Sequence, residues 1–380
     1  MAPTRPQTKK KSKSKQATRK GTSSSDPTAI RNLLTTSTSL LEQGDAVSAQ
    51  QLARDALKAI EDAPSPLSLP LGAALTLLGA ISVEMGDIEQ ARTYFLQAVE
   101  TDPEGVQPDN IGGGAEKFLW LAQLSEEGGK DSVGWFERGA GALRGAIARA
   151  EEAKQTDVAD EKKRKLAETL CAVAEVYMTD LSWEEDAENR CETLVAEAGL
   201  VAPDHADTWQ TVANVRISQE RTDEAKAALE RSMEVWRDLA PEDIRVPAFP
   251  TRVQLARLLM EVELEERAIE VVERLIGEDD EAVQVWYLGG YAYYTLGLKL
   301  KEGKESKEEE WKKKWKYARG WLAQCLLLFE QQQYEDDRLG EHANELLEII
   351  RKEIGDGEGE DEWSDEDDED EDEDEDEEMS

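Results

Sequence analysis

Residues 71–103 read LGAALTLLGAISVEMGDIEQARTYFLQAVETDP. The stretch predicts two antiparallel helices. Leu75, Leu78 and Gly79 mark the first, Gly86-Asp87 the turn, and Ala91, Phe95 and Ala98 the second. Gly79 and Ala91 are small where the helix backbones have to approach closely, and Phe95 fills the groove they leave. Gly86 can take a positive φ and end the first helix cheaply. Pro103 stops the second.

This is the tetratricopeptide pattern, a helix–turn–helix unit of about 34 residues, and it recurs on both sides. Before it, Pro27 opens a helix with Leu33, Leu34, Leu40 and Leu41 apolar. Gly44-Asp45 then turns into a second helix marked by Ala49, Ala53 and Ala56. After it, Phe118, Leu121 and Ala122, then Val133, Phe136, Ala140, Leu143 and Ile147, give a third unit around Gly128-Gly129. A fourth carries Leu170, Val173, Ala174 and Tyr177, then Ala187, Cys191 and Leu194. A fifth carries Trp209, Val212 and Ala213, then Ala225 and Leu229. A sixth carries Leu255, Ala256 and Leu259, then Ala268, Val272 and Leu275. A seventh begins at Trp286, Gly290, Tyr293 and Gly297 and resumes at Ala318, Leu322 and Cys325. Trp311 and Trp315, four apart, share a face in the extra residues between. A last amphipathic segment, with Leu339, Ala343, Leu346, Leu347, Ile350 and Ile354, suits the helix that must cover the open end of a repeat stack. The expected fold is all-α: a right-handed superhelical solenoid of about seven helix pairs over residues 26–354, plus a C-terminal capping helix. Insertions are expected near 104–114, 154–163 (an exposed excursion), 237–250 and 298–316. Ala240-Pro241, Pro247 and Pro250 break the helical pattern in the third of these.

Charge divides the chain. Lys and Arg number 45, Asp and Glu 84, for a formal net charge of −39. Residues 1–25 form a basic arm with KKKSKSK at 9–15, expected to be disordered and readable as a solvated arm or as a nuclear-import signal. Residues 355–380 form an acidic tail, expected to be disordered by self-repulsion. Its residues 365–378 are fourteen consecutive carboxylates, and without the nineteen acidic residues from Asp356 onward the remainder still carries −20. Such a body repels phosphates and suits a basic partner. Three cysteines without a CxxC pair suit a reducing compartment. No uncharged apolar run reaches the length of a membrane span.

In a stack of such units the first helices line the concave wall, mainly through positions 2, 5, 9, 12 and 13. That register places Glu84, Glu116, Glu126, Glu127, Glu168, Glu175, Asp207 and Glu261 there, with Asn214 beside them and Tyr287, Tyr291 and Tyr294 at the far end. Only Arg31 and Arg257 oppose the acidic trend. One reading is that a Glu-rich protein shows Glu on every face; the other is an acidic groove for an extended basic segment, with tyrosines to stack guanidinium groups. The same register tests a co-chaperone clamp for acidic peptides, which needs Lys and Asn at positions 5 and 9. Thr76 and Ala80, Cys171 and Glu175, and Gln210 and Asn214 stand there instead. A scaffold adaptor remains the other alternative. Catalytic motifs are missing: no GxxxxGK[ST], GxSxG or HExxH occurs, and His205 and His342 read as lone surface histidines. The chain reads as a non-enzyme that needs no cofactor or metal.

The Lys-rich start, the repeats over 28–354 and the EWSDEDDEDEDED tail together resemble the fungal dedicated assembly chaperones of ribosomal proteins. Within them the likeness is nearest to those serving large-subunit ribosomal protein four. The resemblance implies a concave surface that holds the long basic internal loop of that client until it joins the pre-60S ribosome. It also implies passage from cytoplasm to nucleus, where import factors would be further partners. The acidic positions named above are those onto which the client surface would map.

Overall fold

The computed structural model describes residues 27–63, 70–109, 112–303 and 307–355. The basic arm and the acidic tail from Asp356 lie outside the described residues. Within them there are fifteen α-helices and no strand. The chain divides into two compact units at Leu194 and Val195.

The first unit opens with α1 (Pro27–Glu42), α2 (Ala46–Glu61), α3 (Leu71–Glu84) and α4 (Ile88–Thr101). Ile30 and Leu34 pack with Ala56, Ala59, Ile60 and Ala74, while Leu33, Leu40 and Leu41 are only partly buried. Ala49 and Ala53 meet Leu78 and Ile81. The Gly-Asp turns work as expected. Gly44 and Gly86 have φ of 81° and 75°, and Asp45 and Asp87 cap α2 and α4 by accepting from the backbone N–H of Ser48 and Gln90. A Cβ on Gly79 would lie 2.6 Å from the Phe95 ring, so the small residue is required by the helix crossing.

Then come α5 (Glu116–Gln123), α6 (Gly129–Glu152), α7 (Thr156–Met178) and α8 (Ala187–Val201), the last crossing the boundary. Residues 154–163 are mostly exposed, and they are largely helical. They are a tight turn followed by the opening turns of α7, so α6 and α7 form an elongated hairpin. Its lysines are held by carboxylates: Lys162 by Asp109, Lys163 by Glu151 and Lys165 by Glu116. Gly105 and Gly112 to Gly114 at the two ends of the 104–114 loop are buried. Gly112, at φ 84°, lies so close to α3 that a Cβ would sit 1.8 Å from the Ala73 nitrogen.

The second unit contains α9 (Ala206–Ser218), α10 (Thr222–Glu234), α11 (Phe249–Glu261), α12 (Glu265–Ile276), α13 (Val283–Glu302), α14 (Glu308–Gln332) and α15 (Asp337–Ile354). The proline-rich 237–250 segment is clamped rather than loose. Arg252 donates to the Pro247 carbonyl at 2.9 Å and grips Glu278 bidentately at 2.6 Å. Arg274 donates to the carbonyls of Arg237 and Leu239, and lies over the buried Trp236 ring. Pro250 does not break a helix here; it stands in the first turn of α11, where its missing N–H costs nothing. The extra residues near 298–316 lengthen both α13 and α14. Trp311 and Trp315 are buried on one face of α14, and Gly297 lets the Trp315 ring reach the α13 backbone. The capping helix α15 buries Ala343, Leu346, Leu347 and Ile350.

Candidate peptide-binding surfaces

Successive helices pack pairwise along most of each unit, and some odd-numbered helices also touch. In the first unit α1 contacts α3; in the second α9 contacts α11, α11 contacts α13 and α13 contacts α15. In the second unit α9, α11 and α13 therefore form a layer of first helices, the wall that the sequence register assigns to binding.

In the first unit the acidic positions fall into distinct environments. Glu84 ends α3 and is exposed. Glu116 starts α5 and is neutralised by Lys165. Glu126 and Glu127 are not on a helix at all, because α5 stops at Gln123; they sit exposed in the turn, with Glu126 3.5 Å from Arg92. Glu168 and Glu175 are two turns apart on α7. Glu175 is exposed by area, yet crowding by protein raises its carboxyl above the ordinary glutamate value. No Lys or Arg pairs with it among the described residues.

In the second unit Asp207 and Asn214 lie half-buried on α9. Burial raises the Asp207 carboxyl, and the neighbouring His205 offsets part of the rise. No Lys or Arg salt-bridges Asp207 among the described residues.

Farther along, α11, α13 and α15 enclose a cleft of about 510 Å³. Glu261 and Arg257 line it from α11, Tyr287 and Tyr291 from α13, and Arg338 and His342 from α15. The two tyrosine rings stack at 6.2 Å, 9° from parallel, and the His342 ring stands edge-on to both. The Tyr287 hydroxyl is 2.7 Å from His342 Nδ1, and burial pushes the phenol up to about 12. Tyr294, the third predicted tyrosine, stacks on Trp315 at 5.4 Å and supports the wall from behind rather than lining the cleft. Tyr293 is core, donating to Glu273 at 2.6 Å.

One expectation needs correction. His342 is not a lone surface histidine; it is half-buried and bonded into the tyrosine pair. The aromatic end carries both signs of charge, since Arg257 and Arg338 line it together with Glu261 and Asp336. Sequence reasoning missed Arg338, Asp336 and His342 because they belong to the capping helix and the turn before it, which register arguments treat as a cover. A signal was present: Asp336, Leu339 and His342 recur at steps of three.

Helix pairs of this length, with small residues at their crossings, define a tetratricopeptide-repeat protein. The tetratricopeptide-repeat family model matches residues 73–104. A probable assembly chaperone of rpl4 from Emericella nidulans is 47% identical over 335 residues, covering 86% of this chain and 82% of that protein. A probable assembly chaperone of rpl4 from Schizosaccharomyces pombe is 34% identical over 281 residues, covering 73% and 80%. The solved structure of an assembly chaperone of RpL4, Acl4, superposes with a TM-score of 0.65 at 57% identity, covering 72% of this chain and 98% of that one. The chain belongs to the family of assembly chaperones of rpl4, which are chaperones and not enzymes.

Proposed function

We propose that this chain is a dedicated chaperone of rpl4, holding a basic, extended loop of that ribosomal protein against the first helices of its two units. The observation that carries this reading is the pair of desolvated carboxylates, Glu175 and Asp207, each without a Lys or Arg partner among the described residues. A buried or crowded carboxylate costs free energy unless a cation meets it. A client Lys or Arg supplies that cation, and the tyrosine cleft accepts a planar guanidinium or an aliphatic stem. The acidic tail then covers the remaining RNA-binding surface of the client, and ribosomal RNA displaces both by offering more charge neutralisation in the pre-60S ribosome. The chaperone accompanies its client from cytoplasm to nucleus, with import factors as transient partners.

The test is binding of an rpl4 loop peptide by a triple charge reversal, Glu168→Lys, Glu175→Lys and Asp207→Lys. The expected result is at least about a tenfold loss, about 1.4 kcal/mol, that shrinks as salt rises. Equal affinity at low and physiological salt removes the acidic-wall reading. Loss of binding only on Tyr287→Ala would move the site to the cleft.

A further inference from the structure

Several cations of the second unit are held by its own carboxylates. Arg252 grips Glu278, Arg267 pairs with Glu230, Lys299 with Glu265 and Lys301 with Glu353. The two guanidiniums at the cleft between α11, α13 and α15 are treated differently. Arg257 on α11 and Arg338 on α15 are exposed, and neither meets a carboxylate among the described residues. Arg257 donates to the neutral amide oxygen of Gln284 at 3.3 Å. Asp and Glu outnumber Lys and Arg by 84 to 45 in this chain, so acidic partners are not scarce.

The carboxylates of the cleft leave this pair unquenched. Asp336 caps α15, accepting from the Leu339 N–H at 3.3 Å. Glu261 stands four residues after Arg257 on α11, a spacing at which opposite charges pair, yet no ion pair joins them. Tyr287 and Tyr291 line the cleft from α13, which touches both α11 and α15. The cleft thus offers two free guanidiniums and one free carboxylate around an aromatic wall.

A uniformly acidic wall attracts a basic segment but lets it slide, because every register offers similar pairs. A site of opposite sign fixes the register, since a wrong one sets a client cation against two guanidiniums. A carboxylate suits such a site, because guanidiniums grip it through charge-assisted, often bidentate hydrogen bonds.

We propose that the cleft binds a carboxylate of the client segment between Arg257 and Arg338, with a neighbouring Lys or Arg of that segment lying over the tyrosines toward Glu261. The occupant is a stretch of mixed charge, not an unbroken basic run. This binding mode rests on the reading that a basic loop lies on the first helices, and it adds the contact that sets the loop's register there.

The experiment titrates the rpl4 loop peptide by calorimetry into the full chain and into its Arg257→Gln, Arg338→Gln double variant. Both arginines are exposed, so the double variant keeps its fold, which its Tm checks. Removing two cations makes an acidic wall more attractive to a basic peptide, whereas losing a carboxylate grip weakens binding. The expected result is at least about fivefold weaker binding by the double variant. Arg31→Gln removes an exposed cation from α1 and serves as the control, binding equally or more tightly. A peptide with its Asp and Glu replaced by Asn and Gln, although more basic, should bind the native chain as weakly as the native peptide binds the double variant. It should lose nothing further against that variant, which marks a direct pair. Equal or tighter binding by the double variant overturns the proposal. So does a peptide whose carboxylates make no difference to the native chain. An RNA oligonucleotide that binds the native chain and not the double variant assigns the arginines to phosphate and overturns it as well. None of these outcomes touches the acidic-wall reading, which stands or falls with Glu168, Glu175 and Asp207.

Discussion

Lys117 and Asp102 form a salt bridge with Nζ 3.0 Å from Oδ2, and both residues are almost wholly buried. Asp102 ends α4 and also accepts from the backbone N–H of Val106 and Gln107; Lys117 opens α5 and also donates to the Gly114 carbonyl. One pair therefore closes the loop between two repeats at both ends. Desolvation pulls the ammonium below its ordinary range even with Asp102 beside it. Removing one partner leaves a buried charge, so Lys117→Met should lower unfolding stability by about 3 kcal/mol or more. Urea denaturation at neutral pH measures it, and a loss under about 1 kcal/mol would mean the loop reopens to water.

Glu175 and Asp207 give a test with opposite signs for stability and binding. Their carboxyls are raised in the folded chain, so their contribution to stability is fully present below the ordinary carboxyl range near pH 4. It is lost as pH rises through the elevated folded values. The charged form of each carries a desolvation cost. Glu175→Gln and Asp207→Asn should then raise Tm at pH 7 by about 1–3 °C, with the smaller share from solvent-screened Glu175. The gain should vanish near pH 4 while affinity for rpl4 falls. A lower Tm at pH 7 would show that both carboxylates serve the fold.

Lys154, Glu220 and Glu263 take φ of 56°, 59° and 62°, the conformation that Gly44 and Gly86 adopt in the earlier turns. A left-handed residue with a side chain is strained by about 1–2 kcal/mol, and glycine returns part of this as entropy lost on folding. Glu220→Gly should stabilise by about 0.5–1 kcal/mol in chemical denaturation. Glu263→Gly should gain less, because Glu263 pairs with Lys299 at 3.2 Å. Destabilisation by Glu220→Gly would mean that its side chain outweighs the backbone strain.

The Tyr287 phenol, held near 12, makes the cleft sensitive to alkali. The folded state keeps that proton longer than the unfolded chain, so its stabilising contribution is complete below pH 10 and is lost as pH rises toward 12. Tyr287→Phe should cost about 1 kcal/mol at neutral pH by losing the bond to His342, and should flatten the alkaline decline. An unchanged decline would assign it to other groups.

The second unit of the repeat, around Gly79 and Phe95, was fully legible because close packing there demands particular residue sizes at fixed steps. Weaker units were harder to place. Their turns use Lys154, Glu220 and Glu263 in a backbone state that sequence reading reserves for glycine, so their ends lack punctuation. Glu126 and Glu127 were misplaced for a related reason, since α5 stops short of the standard length. Residues 154–163 read as an exposed excursion because their charges hide the helical period, and the pairs of Lys162 with Asp109 and Lys163 with Glu151 show where two of those charges go. The cleft was half visible. Tyr287 and Tyr291 follow from register, whereas Arg338 and His342 arrive from a helix distant in sequence, and no local pattern foretells that meeting.

Helix α15 both seals the core and supplies His342 to the tyrosine pair. Sealing the core and lining the cleft thus fall to one helix. Any proteolytic nick or competing protein that peels back this final segment would bare greasy surface and dismantle the cleft in the same stroke, so a damaged copy would lose that cleft as it became visible to quality control.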